Sequence, residues 1–271
     1  MARTSLTGIP SLRRAATMAA LALTLAFSAT FSTALSGPAA AQEQSLPGGF
    51  APDQVQGIEQ IVRDYLIQHP EVLIQSLTAH QERQRVAKEQ RRQQAVIDSR
   101  AALTEDPDSP AIGKPDADVT IVEFFDYRCQ YCRRVVTTIR KLIEEDDKVR
   151  LVMKEFPILG PQSIQAARAA LASVGQGKYE EFHFALMTEP GDMSDPHIRR
   201  VAGSVGLDVE RLLKDMQSPQ IDAMIRRNQE LARSLDINGT PAFVVGDTLA
   251  PGAVDLSTLK RLVAQARAKQ S

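Results

Sequence analysis

Cysteine is almost absent from this 271-residue chain, which carries only Cys129 and Cys132, separated by Gln130 and Tyr131. A secreted scaffold held by disulfides would distribute its cysteines along the chain, so that class is excluded. A structural zinc site needs two further ligands, and the four histidines show no ligand spacing. We therefore expect no bound metal and no cofactor, and the Cys129–Cys132 disulfide is the only redox group that we predict.

A strong net charge is also missing, since 32 basic residues nearly balance 33 acidic ones and the formal net charge is −1. A surface without a basic excess gives no electrostatic reason to bind nucleic acid or an anionic membrane. We therefore expect neither as a partner.

Acidic residues are missing from the first 41 positions, which carry three arginines, an apolar run over 15–35 and the small residues Ala39-Ala40-Ala41. This order predicts a signal peptide over residues 1–41, with cleavage near Ala41. The length of the apolar run leaves an uncleaved membrane anchor as the alternative. No cysteine lies near the cleavage site, which argues against a lipid-anchored protein.

Residues 42–110 are predicted to form an N-terminal helical extension. Apolar residues recur at helical spacing from Ile58 to Leu77, interrupted at His69-Pro70, whereas Thr78–Gln94 is a polar run of strong helix formers. We interpret the first part as an apolar head and the second as a solvated stalk, and expect the head to join copies of the chain into a homo-oligomer. The alternative is a leader that packs loosely on the main domain.

Residues 111–271 are predicted to form an α/β domain. Val119–Phe125 and Val149–Phe156 are β-branched and aromatic runs on either side of an amphipathic helix, which predicts a βαβ unit with parallel strands. A helical insertion follows at about 160–235, and Ala242–Val245 is predicted to return the chain to the sheet.

The position of the cysteine pair indicates dithiol–disulfide exchange. Cys129 follows a predicted strand and begins a predicted helix, where backbone N–H groups and the helix dipole stabilise a thiolate. Cys129 is therefore the expected nucleophile, and Cys132, one turn into the helix, is expected to resolve the mixed disulfide.

Two motifs give the chain a resemblance to a known family. The segment from Phe124 to Cys132 reads FFDYRCQYC, and residues 239–243 read GTPAF. In combination they resemble the DsbA-like family of the thioredoxin superfamily, from about Val119 to Ala268. The resemblance implies a thioredoxin fold with an inserted helical domain, here preceded by the head and stalk. It also implies a periplasmic protein that exchanges electrons with protein thiols and disulfides, and a membrane redox partner that resets the pair.

The resemblance also implies roles for individual residues. Glu123 matches the buried acid beneath the redox pair and would accept a proton from Cys132; the alternative is an exposed glutamate at the strand end. Thr240 and Pro241 match the loop that faces the cysteines, where the proline is cis and the backbone pairs with substrate; the alternative is an ordinary turn. Asp126 and Tyr127 either line the substrate edge or pack at the strand end.

The middle residues of the motif bear on the direction of electron flow. The most oxidising family members carry proline and histidine where this chain has Gln130 and Tyr131. Tyr131 and Thr240 resemble the isomerase and reductase relatives, so we expect an enzyme that reshuffles or reduces disulfides. The alternatives are a monomeric dithiol oxidase, a copper-tolerance protein that holds Cu(I) between two thiolates, and a surface protein with a vestigial motif.

Overall fold

The computed structural model describes residues 49–270, so the predicted signal peptide lies outside the described residues. Contacts divide the chain into two compact units, which within the described part comprise residues 49–67 and 68–270. Helix α1 spans Pro52–Gln68 and α2 spans Pro70–Asp98, with the predicted interruption at His69. Pro70 is tolerated as the first residue of α2 because that position needs no backbone N–H donor. None of the helices that the structure describes is long and apolar enough to cross a membrane.

The sheet of the second unit has five strands in the order β1-β3-β2-β4-β5. Its strands are β1 (Ala111–Ile112), β2 (Val119–Phe125), β3 (Val149–Glu155), β4 (Ala242–Val245) and β5 (Thr248–Pro251). Strands β2 and β3 are parallel, as the βαβ pattern predicts, and the other pairs are antiparallel. The carboxyl ends of β2 and β3 therefore lie at the same edge of the sheet, where the residues that follow β2 form the turn into Cys129.

Helix α4 (Gln130–Glu145) joins β2 to β3, and the predicted helical insertion is confirmed between β3 and β4. The insertion contains α5 (Pro161–Ser173), a 3₁₀ turn (Val174–Gln176), α6 (Tyr179–Thr188), α7 (Asp195–Ser204), α8 (Val209–Asp215) and α9 (Pro219–Ser234). Helix α10 (Leu256–Gln270) follows β5. Helices α4 to α10 contribute to one large apolar cluster with Ile121, Phe125 and Met153 of the sheet.

The opposite face of the sheet is covered in part by the end of the N-terminal extension. Val96 of α2 and Leu103 of the short helix α3 (Arg100–Thr104) are buried in a second cluster with Val122 and Phe124 of β2. Apolar packing of the sheet therefore begins upstream of residue 110, which is the predicted end of the extension.

Two neighbouring residues of β3 place buried ionisable side chains on the two faces of the sheet, because successive strand residues point to opposite sides. Lys154, fully buried, donates hydrogen bonds to the Ala102 carbonyl at 2.7 Å, to Ser109 Oγ at 2.7 Å and to Asp106 at 3.2 Å. Glu155 is also buried and accepts hydrogen bonds on the other face. Its donors are the hydroxyls of Tyr127 and Tyr179, both at 3.0 Å.

Candidate active site

Cys129 is the N-cap residue of α4, and both cysteines are free thiols. The backbone N–H of Cys132 lies 3.5 Å from Cys129 Sγ. Cys132 lies inside the first turn of the helix and is 1% exposed, compared with 5% for Cys129. The cap position directs helix N–H groups towards the first sulfur, as the sequence predicts.

The pKa of Cys129 is lowered to about 5, whereas that of Cys132 is raised. The largest cause at Cys129 is its hydrogen bond with the Cys132 side chain, followed by the Thr240 side chain and the N–H groups of Cys132 and Tyr131; burial opposes them. At Cys132 the causes are the same bond to Cys129, burial and the charge of Glu123. Cys129 is therefore the thiolate at neutral pH, and Cys132 keeps its proton until a base removes it.

Glu123 is buried in β2 with 3% of its surface exposed, so it is not an exposed glutamate at the strand end. Burial, and then the charge of Cys129, raise the pKa of Glu123 to about 8. The electrostatic interactions between Glu123 and both cysteines place the carboxyl near the pair. A carboxyl that titrates near neutral pH has the acidity that a proton acceptor for Cys132 would need.

Thr240 and Pro241 face Cys129 from the loop before β4, and the peptide bond between them is cis. The Cys129 thiol donates a hydrogen bond to the carbonyl oxygen of Thr240 over 3.2 Å. A groove of about 160 Å³ begins at this loop and is bordered by Leu249 and Pro251 of β5 and by Arg92 of α2.

Gln130 and Tyr131, between the cysteines, are both exposed. Tyr131 is 57% exposed, and the guanidinium of Arg134 lies 4.4 Å from the centre of its ring. The structure therefore brings all the predicted site residues to the carboxyl end of β2. Substrate contact by the two middle residues stays a prediction.

Sequence reasoning missed a buried polar network behind the pair. Tyr127 and Tyr179 both donate to Glu155, and the Tyr127 hydroxyl lies 3.0 Å from Nδ1 of His183. Burial lowers the pKa of His183 to about 3, so this histidine is neutral. Nothing in the sequence indicated that Tyr127 would join Glu155 and His183.

A metal site of three or more His, Cys, Asp or Glu side chains is absent from the described residues 49–270. The two cysteine sulfurs are ligands of the kind that suits a soft cation such as Cu(I).

Comparisons with known proteins match both parts of the chain. A family model for the DSBA-like thioredoxin domain matches residues 120–264, and one for the N-terminal domain of the copper resistance protein ScsC matches residues 54–87. A thioredoxin-like oxidoreductase from Silicibacter pomeroyi is 50% identical, with a TM-score of 0.61, and the match covers 62% of this chain and 97% of that one. Proteus mirabilis ScsC in a transitional conformation is 31% identical, with a TM-score of 0.60 and coverage of 81% and 100%.

Curated relatives include an Na(+)/H(+) antiporter, NhaA 1 of Mycobacterium sp. (strain KMS), which is 30% identical over 168 residues. The match covers 60% of this chain but only 27% of the antiporter, so the chain spans about a quarter of that protein's length.

Proposed function

Since this chain belongs to the DSBA-like thioredoxin domain family, we propose that it exchanges disulfides with envelope proteins through Cys129 and Cys132, as an isomerase or reductase. The observation that carries the proposal is the pair of thiols, in which the pKa of Cys129 is lowered and that of Cys132 is raised. The sulfur of Cys129 also lies 3.2 Å from the carbonyl oxygen of Thr240. The predicted signal peptide supports a periplasmic location, and sequencing the N-terminus of the exported protein would test cleavage near Ala41.

In the reductive direction, the Cys129 thiolate attacks a substrate disulfide, forms a mixed disulfide and releases one substrate thiolate. Glu123 then accepts the Cys132 proton, and the Cys132 sulfur attacks Cys129 Sγ. The mixed disulfide breaks, the second substrate sulfur leaves as a thiolate that takes up a proton, and the Cys129–Cys132 disulfide forms. The substrate gains the two electrons that the pair loses, and a membrane redox partner would return them. In isomerisation a second substrate thiol attacks the mixed disulfide instead, with no net redox change.

The first unit supports a homo-oligomer. Helix α1 buries none of its residues, and Ile58, Ile61, Val62 and Tyr65 are between 44% and 70% exposed at helical spacing. An amphipathic helix gains stability when its apolar stripe is covered, and a second copy of the chain would present the same stripe. Oligomers would hold several redox pairs around one misfolded substrate, which suits isomerisation.

The oligomer can be tested without truncation, which would remove core residues of the second unit such as Val96. Ile61→Lys places a charge in the apolar stripe, and Gln56→Lys places the same charge on the other side of α1. We expect Ile61→Lys alone to lower the mass measured by light scattering and to reduce the refolding rate of scrambled ribonuclease. An unchanged mass and rate for Ile61→Lys would contradict this part of the proposal.

A dithiol oxidase is the second candidate, favoured by the low pKa of Cys129. A stabilised thiolate favours the reduced pair, which makes the disulfide more oxidising. Equilibration with glutathione measures the reduction potential: a value near −120 mV would identify an oxidase, and one near −200 mV or below would support an isomerase or reductase.

Cu(I) binding is the third candidate, favoured by the match of residues 54–87 to the N-terminal domain of a copper resistance protein. Two thiolates suit this soft ion. Titration of the reduced protein with Cu(I) should then show binding that the Cys129→Ser variant lacks, and equal binding by both would remove this candidate.

A further inference from the structure

The segment that carries the redox pair is basic, although the chain as a whole is nearly neutral. Residues 127–143 contain no aspartate or glutamate, whereas the full sequence has 33 acidic and 32 basic residues. The basic residues of this segment are Arg128, Arg133, Arg134, Arg140 and Lys141. Because salt screens charges beyond about 8–10 Å, such a local excess attracts anions to this part of the surface and not to the rest of the protein.

Arg128, which directly precedes the nucleophile, is held by uncharged acceptors. Its Nη1 atom donates to the carbonyl oxygen of Leu159 at 2.5 Å and lies 3.5 Å from Oε1 of Gln162. The residue is exposed, and within the described residues 49–270 its guanidinium forms no ion pair with a carboxylate. The positive charge is therefore fixed beside Cys129 without a counter-ion.

The acid closest to Arg128 in the sequence, Asp126, does not pair with this guanidinium. Asp126 is 1% exposed, so it packs at the strand end and does not line the substrate edge. Its Oδ1 accepts hydrogen bonds from the backbone N–H of Arg128 and from Ser163 Oγ, both at 2.8 Å. Its Oδ2 accepts from the backbone N–H groups of Ile158 and Leu159, at 2.8 and 3.0 Å. All four donors are uncharged, so this carboxylate is used inside the fold.

Arg134, in α4, is held by an aromatic ring. Its guanidinium carbon lies 4.4 Å from the ring centre of Tyr131, which stands between the cysteines and is 57% exposed. A ring face attracts a cation but carries no net charge, so the contact positions the guanidinium and does not neutralise it. Arg134 is exposed, and the described part of the chain gives it no ion pair. We call Arg128 and Arg134 the basic rim.

Arg133, between the cysteines and Arg134, faces inward and contacts only carbonyl oxygens. Its Nε donates to Tyr127 at 3.0 Å, Nη1 to Glu189 at 3.2 Å and Nη2 to Leu186 at 3.3 Å. Burial lowers the pKa of this guanidinium, which nevertheless stays charged at neutral pH. These bonds join the first turn of α4 to the end of α6, so the basic rim projects from a fixed base.

We propose that the basic rim binds carboxylates of the substrate, so that the enzyme prefers protein cysteines flanked by aspartate or glutamate. The inference rests on the proposed function, because a substrate segment reaches the rim when its sulfur approaches Cys129. Arginine suits this role, since its planar guanidinium donates two parallel hydrogen bonds to a carboxylate. A guanidinium that is already held in place loses little conformational freedom on binding.

Two peptides test this preference, each with one internal disulfide and with either glutamates or glutamines beside its cysteines. The two side chains have nearly the same shape and differ in charge. Rapid mixing with the reduced protein gives kcat/KM for each peptide. The wild-type value should be about fivefold higher for the glutamate peptide, as expected of two exposed ion pairs, and this ratio should fall as salt is added. Equal values would overturn the proposal.

Three charge variants locate the effect. Arg128→Gln and Arg134→Gln should each lower the glutamate-to-glutamine ratio about twofold, and the double variant should bring it close to one. Arg261→Gln is the matched control, because Arg261 is exposed and follows Lys260, whose ammonium lies 2.5 Å from Glu145 at the far end of α4. The control should keep the wild-type ratio. An unaltered ratio in the double variant, or an equal fall in the control, would overturn the proposal.

Charge reversal covers the case in which loss of the Leu159 contact unfolds the Arg128 variants. The Arg134 side chain contacts only the ring of Tyr131 among the described residues, so its replacement breaks no hydrogen bond of the fold. Arg134→Glu should lower the ratio below that of Arg134→Gln, because it repels the substrate carboxylates. Equal ratios in these two variants would contradict a direct contact.

The same rate constants separate recognition from a general effect on the nucleophile. An arginine that only stabilised the Cys129 thiolate would change the rates for both peptides by the same factor, and this result would refute recognition. Failure of the wild-type protein to exchange with either peptide would refute the proposed function instead. Sedimentation with phosphatidylglycerol vesicles completes the test, since binding that the double variant loses would assign the rim to a membrane surface and overturn the proposal.

Discussion

The Cys129 sulfur lies 3.2 Å from the carbonyl oxygen of Thr240, a residue 111 positions later in the chain. As a thiol, Cys129 donates to this oxygen; as a thiolate it has no proton to donate and must depend on other donors. The Thr240 side chain is one of them, since its hydrogen bond lowers the pKa of Cys129. Thr240 therefore acts on the nucleophile both through its carbonyl, which accepts from the thiol, and through its side chain, which lowers the pKa.

The Thr240 hydroxyl gives the first prediction. Thr240→Val keeps the shape of the side chain but removes the hydroxyl, so the pKa of Cys129 should rise above about 5. Thr240→Ser keeps the donor and should leave the pKa closer to that of the wild type. The pH dependence of thiolate absorbance at 240 nm measures both, and identical titration midpoints for valine and serine would contradict the role of the hydroxyl.

The Cys132 side chain is the largest cause of the low pKa at Cys129, which gives a second prediction. Cys132→Ser keeps an O–H donor one turn into α4, whereas Cys132→Ala has none. We expect the titration midpoint of Cys129 to remain near 5 with serine and to move towards its usual value near 9 with alanine. Rates of alkylation by iodoacetamide against pH provide the measurement. Both variants should also accumulate mixed disulfides, because neither can resolve them.

Glu123 gives a prediction about activity. Its pKa of about 8 means that the carboxylate form increases as the pH rises through 8, and with it the rate of the step that deprotonates Cys132. Glu123→Gln should lower kcat and lose this rise. Rapid mixing with a substrate disulfide at pH 6 to 9 follows release of the second thiol, and a parallel pH profile in the glutamine variant would exclude Glu123 as the acceptor.

Glu123 also gives a prediction about stability. Folding raises the pKa of Glu123 from about 4.5 to about 8. The contribution of the neutral carboxyl to the free energy of unfolding is therefore fully present below pH 4.5 and is lost as the pH rises through 8. The free energy of unfolding of Glu123→Gln should therefore exceed that of the wild type by an amount that grows from pH 4.5 to 8, to a limit on the order of 5 kcal/mol. Urea unfolding of the reduced proteins measures this difference, and a constant difference across that range would count against a buried neutral carboxyl.

Lys154 and Asp106 form a pair in which the lysine is buried, and the two single variants should differ. Asp106→Asn leaves the charge of Lys154 without its counter-ion and should cost about 3 kcal/mol. Lys154→Met removes the buried charge instead, and should be close to neutral because an apolar side chain of similar size takes its place. Chemical denaturation at pH 7 measures the free energy of unfolding of both variants. A greater loss of stability in Lys154→Met than in Asp106→Asn would contradict this account.

Local pattern was sufficient to predict β2, α4 and the cap position of Cys129. A β-branched and aromatic run followed by helical periodicity depends on residues close in sequence, and the burial of Glu123 follows from the apolar run around it. The contacts of Asp126 could not be predicted in this way. Three of the four donors to its side chain lie 32 to 37 positions away, and their approach depends on how the chain turns after β3.

The end of α2 illustrates a second limit. Its polar composition predicted a solvated helix, and most of it is exposed. Its last turns nevertheless contact the second half of the chain through polar groups: Arg92 donates to Asp236 at 3.2 Å and Gln93 to Asp247 at 2.9 Å. Such contacts have no periodic signature, because polar residues at a surface look the same in sequence whether they meet water or another polar side chain.

The buried side chains of Lys154 and Glu155 have a consequence for how β3 pairs with its neighbours. A slip of one residue would exchange the two faces, placing the Lys154 ammonium among the apolar helices and the Glu155 carboxyl beside Asp106. Apolar residues alone would tolerate such an error better, because valine, leucine and methionine occupy either face of this strand. A misaligned β3 would therefore leave a buried ammonium without its counter-ion and a buried carboxyl without its tyrosine donors, and both losses destabilise it.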